Sequence, residues 1–267
     1  MPEYAVFVSS SDNYSDLWPV FFSLFKKYWP EYNGKIYLQT QKKQFVFPGL
    51  NIECTNVGVI KDFGATLLAG LNKVTEDNIL FFMIDYIFMG RVNAEKIDEY
   101  YAHFCNSQLD SLVLCHHRWI NTKLSSLSDL QRFVPPSNKI MFSYQIAFWK
   151  KKVLKSLILP HENPWMSEWW GDARCEKMNV IMECLKGNVQ KPIPYNLAGC
   201  LHQGKWLNDA VKFIQNEDLM VDFSKRGFYD DVKGYKSLKS RINIKWSIIK
   251  TGILGSYIDL KKRKSIH

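Results

Sequence analysis

Residues 79–88 read Ile-Leu-Phe-Phe-Met-Ile-Asp-Tyr-Ile-Phe, six apolar residues in succession followed at once by Asp85. A run without alternation is what a central strand needs when both of its faces are covered. Asp85 is the only charged residue between Asp77 and Arg91. A carboxylate taken out of water at a strand end is costly unless something there uses it. Its position therefore suggests a ligand for a metal, a ribose hydroxyl or an acceptor hydroxyl. The structural alternative is an Asp that caps the next turn or pairs with an Arg.

Working outward, Tyr4 to Ser9 form a short apolar run that ends in the polar cluster Ser9-Ser10-Ser11-Asp12-Asn13. This reads as a buried strand and a loop. Leu17, Val20, Phe21, Leu24, Phe25 and Tyr28 recur at helical spacing, and a second strand begins over 35–39. A right-handed β-α-β crossover makes those two strands parallel neighbours. Further helices are expected over 63–74, 94–104, 173–185 and 206–214, and further strands over 111–115 and 139–149. The segment 161–172 is rich in Pro, Trp and acids. The expected fold is α/β, a mixed and mostly parallel sheet flanked by helices, with ligands at the carboxyl ends of the strands. No internal repeat or low-complexity linker divides it, so one domain is expected over 1–235, followed by a tail over 236–267.

The net charge of +9 looks like a signal for nucleic acid until it is located. Residues 236–267 hold nine Lys or Arg and one Asp, which leaves the body at about +1. A protein that tracks a phosphate backbone spreads cations through its body, so nucleic acid is not the expected partner. In the tail, Ile242, Trp246, Ile249, Ile253, Tyr257 and Leu260 recur at spacings of three and four among basic residues. Two readings stay open: an interfacial helix on an anionic leaflet, or a helix packed on the domain with a solvated basic end. The six cysteines stand singly and read as free thiols in a reducing compartment. Adjacent His116 and His117 point opposite ways on an extended chain and lack finger spacing, which argues against zinc. No stretch has the pattern of a signal peptide or reaches roughly 18 apolar residues, so a cytoplasmic protein is expected, peripheral on the inner face of a membrane if the tail binds one.

The run Asn72 to Leu80, followed by Ile84-Asp85-Tyr86-Ile87-Phe88, resembles the helix, turn and acidic strand end of GT-A-type glycosyltransferases of bacterial and viral polysaccharide biosynthesis. In that family two adjacent acids precede the Tyr, a variant of the Asp-x-Asp motif; here the first is Ile84. Four further stretches are similar to the family in the same order: Ser9 to Asp12 with Tyr14, Asp16 and Trp18; Ser143 to Trp149; Pro164 to Glu168 with Gly171 and Arg174; and Gly204-Lys205-Trp206 with Arg226-Gly227. The resemblance covers about residues 4–227. It implies transfer of a sugar from a nucleoside diphosphate-sugar to a saccharide or glycolipid acceptor. Ser9, Ser10, Ser11, Asp12, Asp85 and Tyr86 would lie at the donor, with Gln145, Trp165 and Trp169 at the acceptor. A cofactor, Mn²⁺ or Mg²⁺, is implied by the family, although the missing acid leaves Asp85 to share it with a remote partner such as His202 or to work without it.

Inverting transfer needs a carboxylate to take the acceptor proton. Glu168 is the candidate, with Asp172 in reserve, because a desolvated acid among aromatics approaches a useful pKa. Glu168 also suits a helix N-terminus on dipole grounds alone. His202-Gln203-Gly204-Lys205 offers a metal ligand and a phosphate-facing Lys205, or a merely structural histidine. The competing function is a non-catalytic basic module that binds nucleic acid or an anionic membrane through the tail.

Overall fold

The computed structural model describes residues 3–117, 121–134 and 142–230. β1 (Ala5–Ser9) and β4 (Asn78–Met83) run parallel, Val6 opposite Leu80 and Val8 opposite Phe82. β2 (Lys35–Leu38) and β3 (Asn51–Cys54) extend the sheet beyond β1, both parallel to it. On the other side of β4 lie β8 (Ala147–Lys150), β5 (Ser111–Val113), β9 (Met182–Leu185), β7 (Leu130–Phe133) and β6 (Thr122–Leu124). Only β7 and β8 run against the other strands of this nine-stranded sheet. The mixed, mostly parallel α/β sheet expected from the sequence is the one observed. Strand order turns back between β1 and β4, and such a switch point leaves a crevice at the strand ends.

The central run is covered twice. Ile79, Leu80, Phe81 and Phe82 are all buried. On one face Phe82 meets Phe21 of α1 (Trp18–Tyr28) at 6.0 Å, ring centre to ring centre. On the same face Phe148 of β8, opposite Leu80, meets Tyr101 and Phe104 of α3 (Ala94–Asn106). On the other face Phe81 and Phe7 stack, and α2 (Phe63–Leu71) lies close enough that a Cβ on Gly70 would stand 3.2 Å from the Phe7 ring. α4 (Lys151–Leu157) and α5 (Pro164–Lys177) complete that layer beside α2. A short ribbon, β10 (Leu201–His202) with β11 (Lys205–Trp206), precedes α6 (Asn208–Asn216).

The helix expected over 173–185 is instead the end of α5 and the strand β9. Asn179, with φ at 52°, turns the chain in the left-handed region, and Met182 to Leu185 are all buried. Glu183 lies fully buried in β9, bonded to Arg132, His103 and Ser125. The strand expected over 139–149 is confined to β8. Phe142 and Tyr144 lie before it, and their N–H groups go to carboxylates on α5 instead of to a neighbouring strand. The strands β3, β6 and β7, the β10–β11 ribbon and helix α4 were not anticipated. Residues 139–141 and the tail over 236–267 lie outside the described residues, and with them both readings of the tail helix.

Gly171, in α5, faces the Phe142 ring, and a Cβ there would stand 2.7 Å from Cγ of that ring. Helix propensity alone favours alanine over glycine by about 1 kcal/mol. Overpacking against a buried ring costs about 1–3 kcal/mol and wins. Gly171→Ala is therefore expected to lower the urea midpoint; a raised midpoint would show that Phe142 moves aside freely.

Candidate functional site

The carboxyl ends of β1, β2 and β4 open into a cleft of about 350 Å³. Ser9, Met83, Ile84 and Asp85 bring the two central strand ends to it; Ser10, Ser11, Asn13 and Tyr14 bring the first loop. Gln39 and Gln41 enter from the end of β2, Phe63 and Thr66 from α2, and Pro164 and Trp165 from the start of α5. The volume is that of an ordinary small-molecule site. Of the sequence candidates, the cleft unites Ser9, Ser10, Ser11, Asp85 and Trp165.

Asp85 has no salt-bridge partner among the described residues. Its pKa is pushed up from 3.8 to about 6, first by burial, which its own backbone N–H only partly offsets. Gly199, at φ +77°, lies against it: a Cβ there would stand 2.6 Å from Oδ2. The Cys200 N–H donates to the Asp85 carbonyl at 2.8 Å, so the segment before the ribbon is fastened to the strand end. Ile84, where the resembling family has an acid, is buried.

Asp12 is committed elsewhere. Its carboxylate accepts N–H bonds from Gln41, Lys42 and Lys43 at 2.8–3.1 Å, tying the first loop to the loop after β2. Burial raises its pKa, but these three bonds outweigh it and hold the acid below its ordinary value. Ser10 Oγ accepts from Trp18 Nε1 at 2.8 Å and is likewise partly used.

Glu168 and Asp172 are one turn apart on α5. Glu168 Oε1 accepts the Tyr144 N–H at 2.9 Å and Asp172 Oδ1 the Phe142 N–H at 2.8 Å, while Tyr144 Oη and Ser167 Oγ bond at 2.7 Å. Asn163 caps the helix by accepting from the Met166 N–H. Burial raises the Glu168 pKa, the Tyr144 N–H pulls it back, and the Asp172 charge raises it again. Trp169 is 55% exposed and does not line the cleft. Gln145 has its amide engaged by Tyr86, Tyr195 and the Leu197 carbonyl.

His202 and Lys205 are opposite one another on the ribbon, both exposed and outside the cleft lining. The His202 ring meets the edge of Tyr229 at 4.4 Å. Arg226 joins the ribbon turn to the site, donating to the Gly204 carbonyl at 3.5 Å. Arg226 makes a two-pronged ion pair with Asp16, donates to the Asn13 carbonyl at 2.8 Å, and sits over the Tyr14 ring at 4.7 Å. Its role had no signal beyond the resemblance of Arg226-Gly227. Gln39, Gln41, Phe63 and Thr66 were missed as well, although the strand-end rule points to the residues that follow β2.

Among the described residues no group of three or more His, Cys, Asp or Glu side chains is placed to hold a metal ion. One carboxylate beside a buried Ile84 does not make a protein-held divalent site, since Mg²⁺ takes six oxygen ligands and Ca²⁺ more. Among the same residues no helix is long and apolar enough to cross a membrane.

No protein-family model and no curated protein matches the chain. Solved structures do. S. aureus TarS 1–349 is 14% identical, with a TM-score of 0.44 over 68% of this chain and 57% of that one. The bifunctional IspDF from Campylobacter jejuni is 11% identical, with a TM-score of 0.41 over 72% of this chain and 51% of that one. A CMP:2-keto-3-deoxy-manno-octonic acid synthetase complexed with CTP is 15% identical, with a TM-score of 0.45 over 81% of this chain and all of that one. The chain thus spans little more than half the length of the first two.

A raised carboxyl pKa means that the folded state binds the Asp85 proton more tightly than the unfolded chain does. The stability this group contributes is present below about pH 4 and is lost as pH rises through about 6. Asp85→Asn removes that loss and is expected to stabilise the protein at pH 7 by on the order of 1–3 kcal/mol. Urea unfolding of both proteins at pH 4.5 and 7 checks this; parallel pH profiles would refute it.

Proposed function

We propose that the protein is a glycosyltransferase that moves a sugar from a nucleoside diphosphate-sugar to a hydroxyl of a saccharide or glycolipid. The observation that carries this reading is Asp85, half-buried and without a salt-bridge partner among the described residues, at the switch point in a cleft shared with the Ser9 to Ser11 loop. Ligands of α/β sheets bind at such a place, and a desolvated carboxylate there suits the hydroxyls of a ribose or sugar. The order of sequence resemblances along 4–227 supports the same class.

In this reading α5 supplies the base. The Tyr144 N–H holds one Glu168 oxygen and leaves the other to take the proton of the acceptor hydroxyl. The acceptor oxygen then attacks the anomeric carbon, the bond from that carbon to the diphosphate oxygen breaks, and the nucleoside diphosphate leaves with the electron pair. Attack from the face opposite the leaving group inverts the anomeric centre. A raised Glu168 pKa brings the base nearer to working pH. Trp165, 71% exposed at the rim, offers a face on which a sugar can stack. Asp85 and the first loop hold the donor through hydrogen bonds. The residues present derive no step through Mn²⁺ or Mg²⁺, and turnover with and without a chelator measures whether one is used.

A thermal-shift panel of nucleotides tests the donor: a ligand at 100 times its Kd adds about 2.7 kcal/mol to stability. UDP or GDP is expected to raise Tm, and absence of a shift with every nucleotide would sink the reading. Glu168→Gln is expected to lower transfer at least about 100-fold while keeping the nucleotide shift. Retained turnover in that variant would remove Glu168 as the base.

A further inference from the structure

Gln145 sits at the centre of a directed chain of hydrogen bonds. Its Nε2 donates to the Leu197 carbonyl at 3.2 Å and to Tyr86 Oη at 2.9 Å, while its Oε1 accepts from Tyr195 Oη at 2.9 Å. A carbonyl oxygen can only accept, so the Leu197 contact forces the amide nitrogen to that side and removes the flipped orientation. The direction of the whole chain follows. Tyr195 gives its proton to Gln145, Gln145 gives an N–H to the Tyr86 oxygen, and the Tyr86 O–H points onward.

That O–H has no acceptor among the described residues. Tyr86 is half-buried and directly follows Asp85, and its bond to Gln145 ties it to the residue beside Tyr144, whose N–H meets Glu168. The frame behind it is firm. The Tyr86 and Tyr195 rings pack at 5.2 Å, Met89 N–H donates to the Pro194 carbonyl, and Asn93 N–H donates to the Pro192 carbonyl. Tyr195 itself is buried. An O–H aimed by three fixed bonds, with nothing in the protein to receive it, is a preorganised donor.

We infer that Tyr86 donates a hydrogen bond to a hydroxyl oxygen of the sugar being transferred, and that Gln145 and Tyr195 are positioning residues that aim it. This rests on the proposed transferase reading, in which the sugar lies between Asp85 on the donor side and Glu168 on the acceptor side. A phenol is protonated at neutral pH, so Tyr86 serves as a donor and moves no proton in the step. A site built to bond a substrate hydroxyl rejects analogues that lack it, which makes Tyr86 a residue of sugar specificity.

The test pairs turnover with stability. With the nucleotide-sugar that the wild-type protein turns over, Tyr86→Phe is expected to lower kcat/KM roughly 10- to 100-fold. The thermal shift given by the free nucleoside diphosphate should not change. Gln145→Met is expected to cost about as much alone and little more in the Tyr86→Phe background, because it acts through Tyr86. Equal weakening of the free diphosphate, or full additivity of the two substitutions, would overturn the proposal. A second arm needs no substrate. Tyr86→Phe leaves one Gln145 N–H without its acceptor and Tyr195→Phe strands the Gln145 oxygen, so each is expected to lower Tm by about 2–4 °C, and the double substitution by less than the sum because both act on Gln145. Fully additive losses would show that the two phenols are not joined through Gln145 and would overturn the relay. A wild-type protein that turns over no nucleotide-sugar sinks the transferase reading, and this second arm still judges the relay.

Discussion

A strand that is apolar on both faces has to be covered twice, and the layers over β4 follow from that requirement. Burying Ile79 to Phe82 calls for α1 and α3 on one side and α2, α4 and α5 on the other. At about 25 cal/mol per Å² of apolar surface, no other feature of the chain competes with a cluster of this size. The first residue that cannot join it is Asp85, and the cleft begins there. The cleft is the opening left at the strand ends between these layers.

The second organising contact is polar. Where Phe142 and Tyr144 leave the sheet, their N–H groups would be orphaned beneath α5, and an unmade buried bond costs about 1–3 kcal/mol. Glu168 and Asp172, one helical turn apart, meet N–H groups two residues apart on the facing chain. The same carboxylates therefore seat α5 against the segment 142–144, one residue before the Gln145 that bonds Tyr86. The structural role of Glu168 leaves room for the proposed chemical one, because a carboxylate has two oxygens and the Tyr144 N–H takes one of them.

Much of the fold was legible because its signals are local. The unbroken run at 79–84, the helical spacing from Leu17 to Tyr28 and the turn at 75–78 each announce an element by pattern alone. The misreadings at 139–149 and 173–185 have a common cause: a side chain whose partner is remote in sequence. Glu183, in the segment read as helix, is held inside the sheet by Arg132 and His103, both remote from it in sequence. Phe142 and Tyr144 read as strand residues until their N–H groups are seen to bond α5. At the site, Asp85 and the serines of the first loop are visible because they end an apolar run. Gln145 was marked on resemblance, and the direction of its bonds to Tyr86 and Tyr195 is a property of three segments brought together. Asp12 shows the converse: an acid in the expected loop whose carboxylate is consumed by the backbone of residues 41–43.

The clamp from Arg226 to Asp16 joins residues 210 positions apart. A chain emerging from the ribosome makes residue 16 long before residue 226. Helices and the parallel core can form during synthesis, but the loop that frames the cleft stays unclamped until residue 226 has cleared the exit tunnel. The frame of the cleft is thus closed only after every described strand of the large sheet has been made.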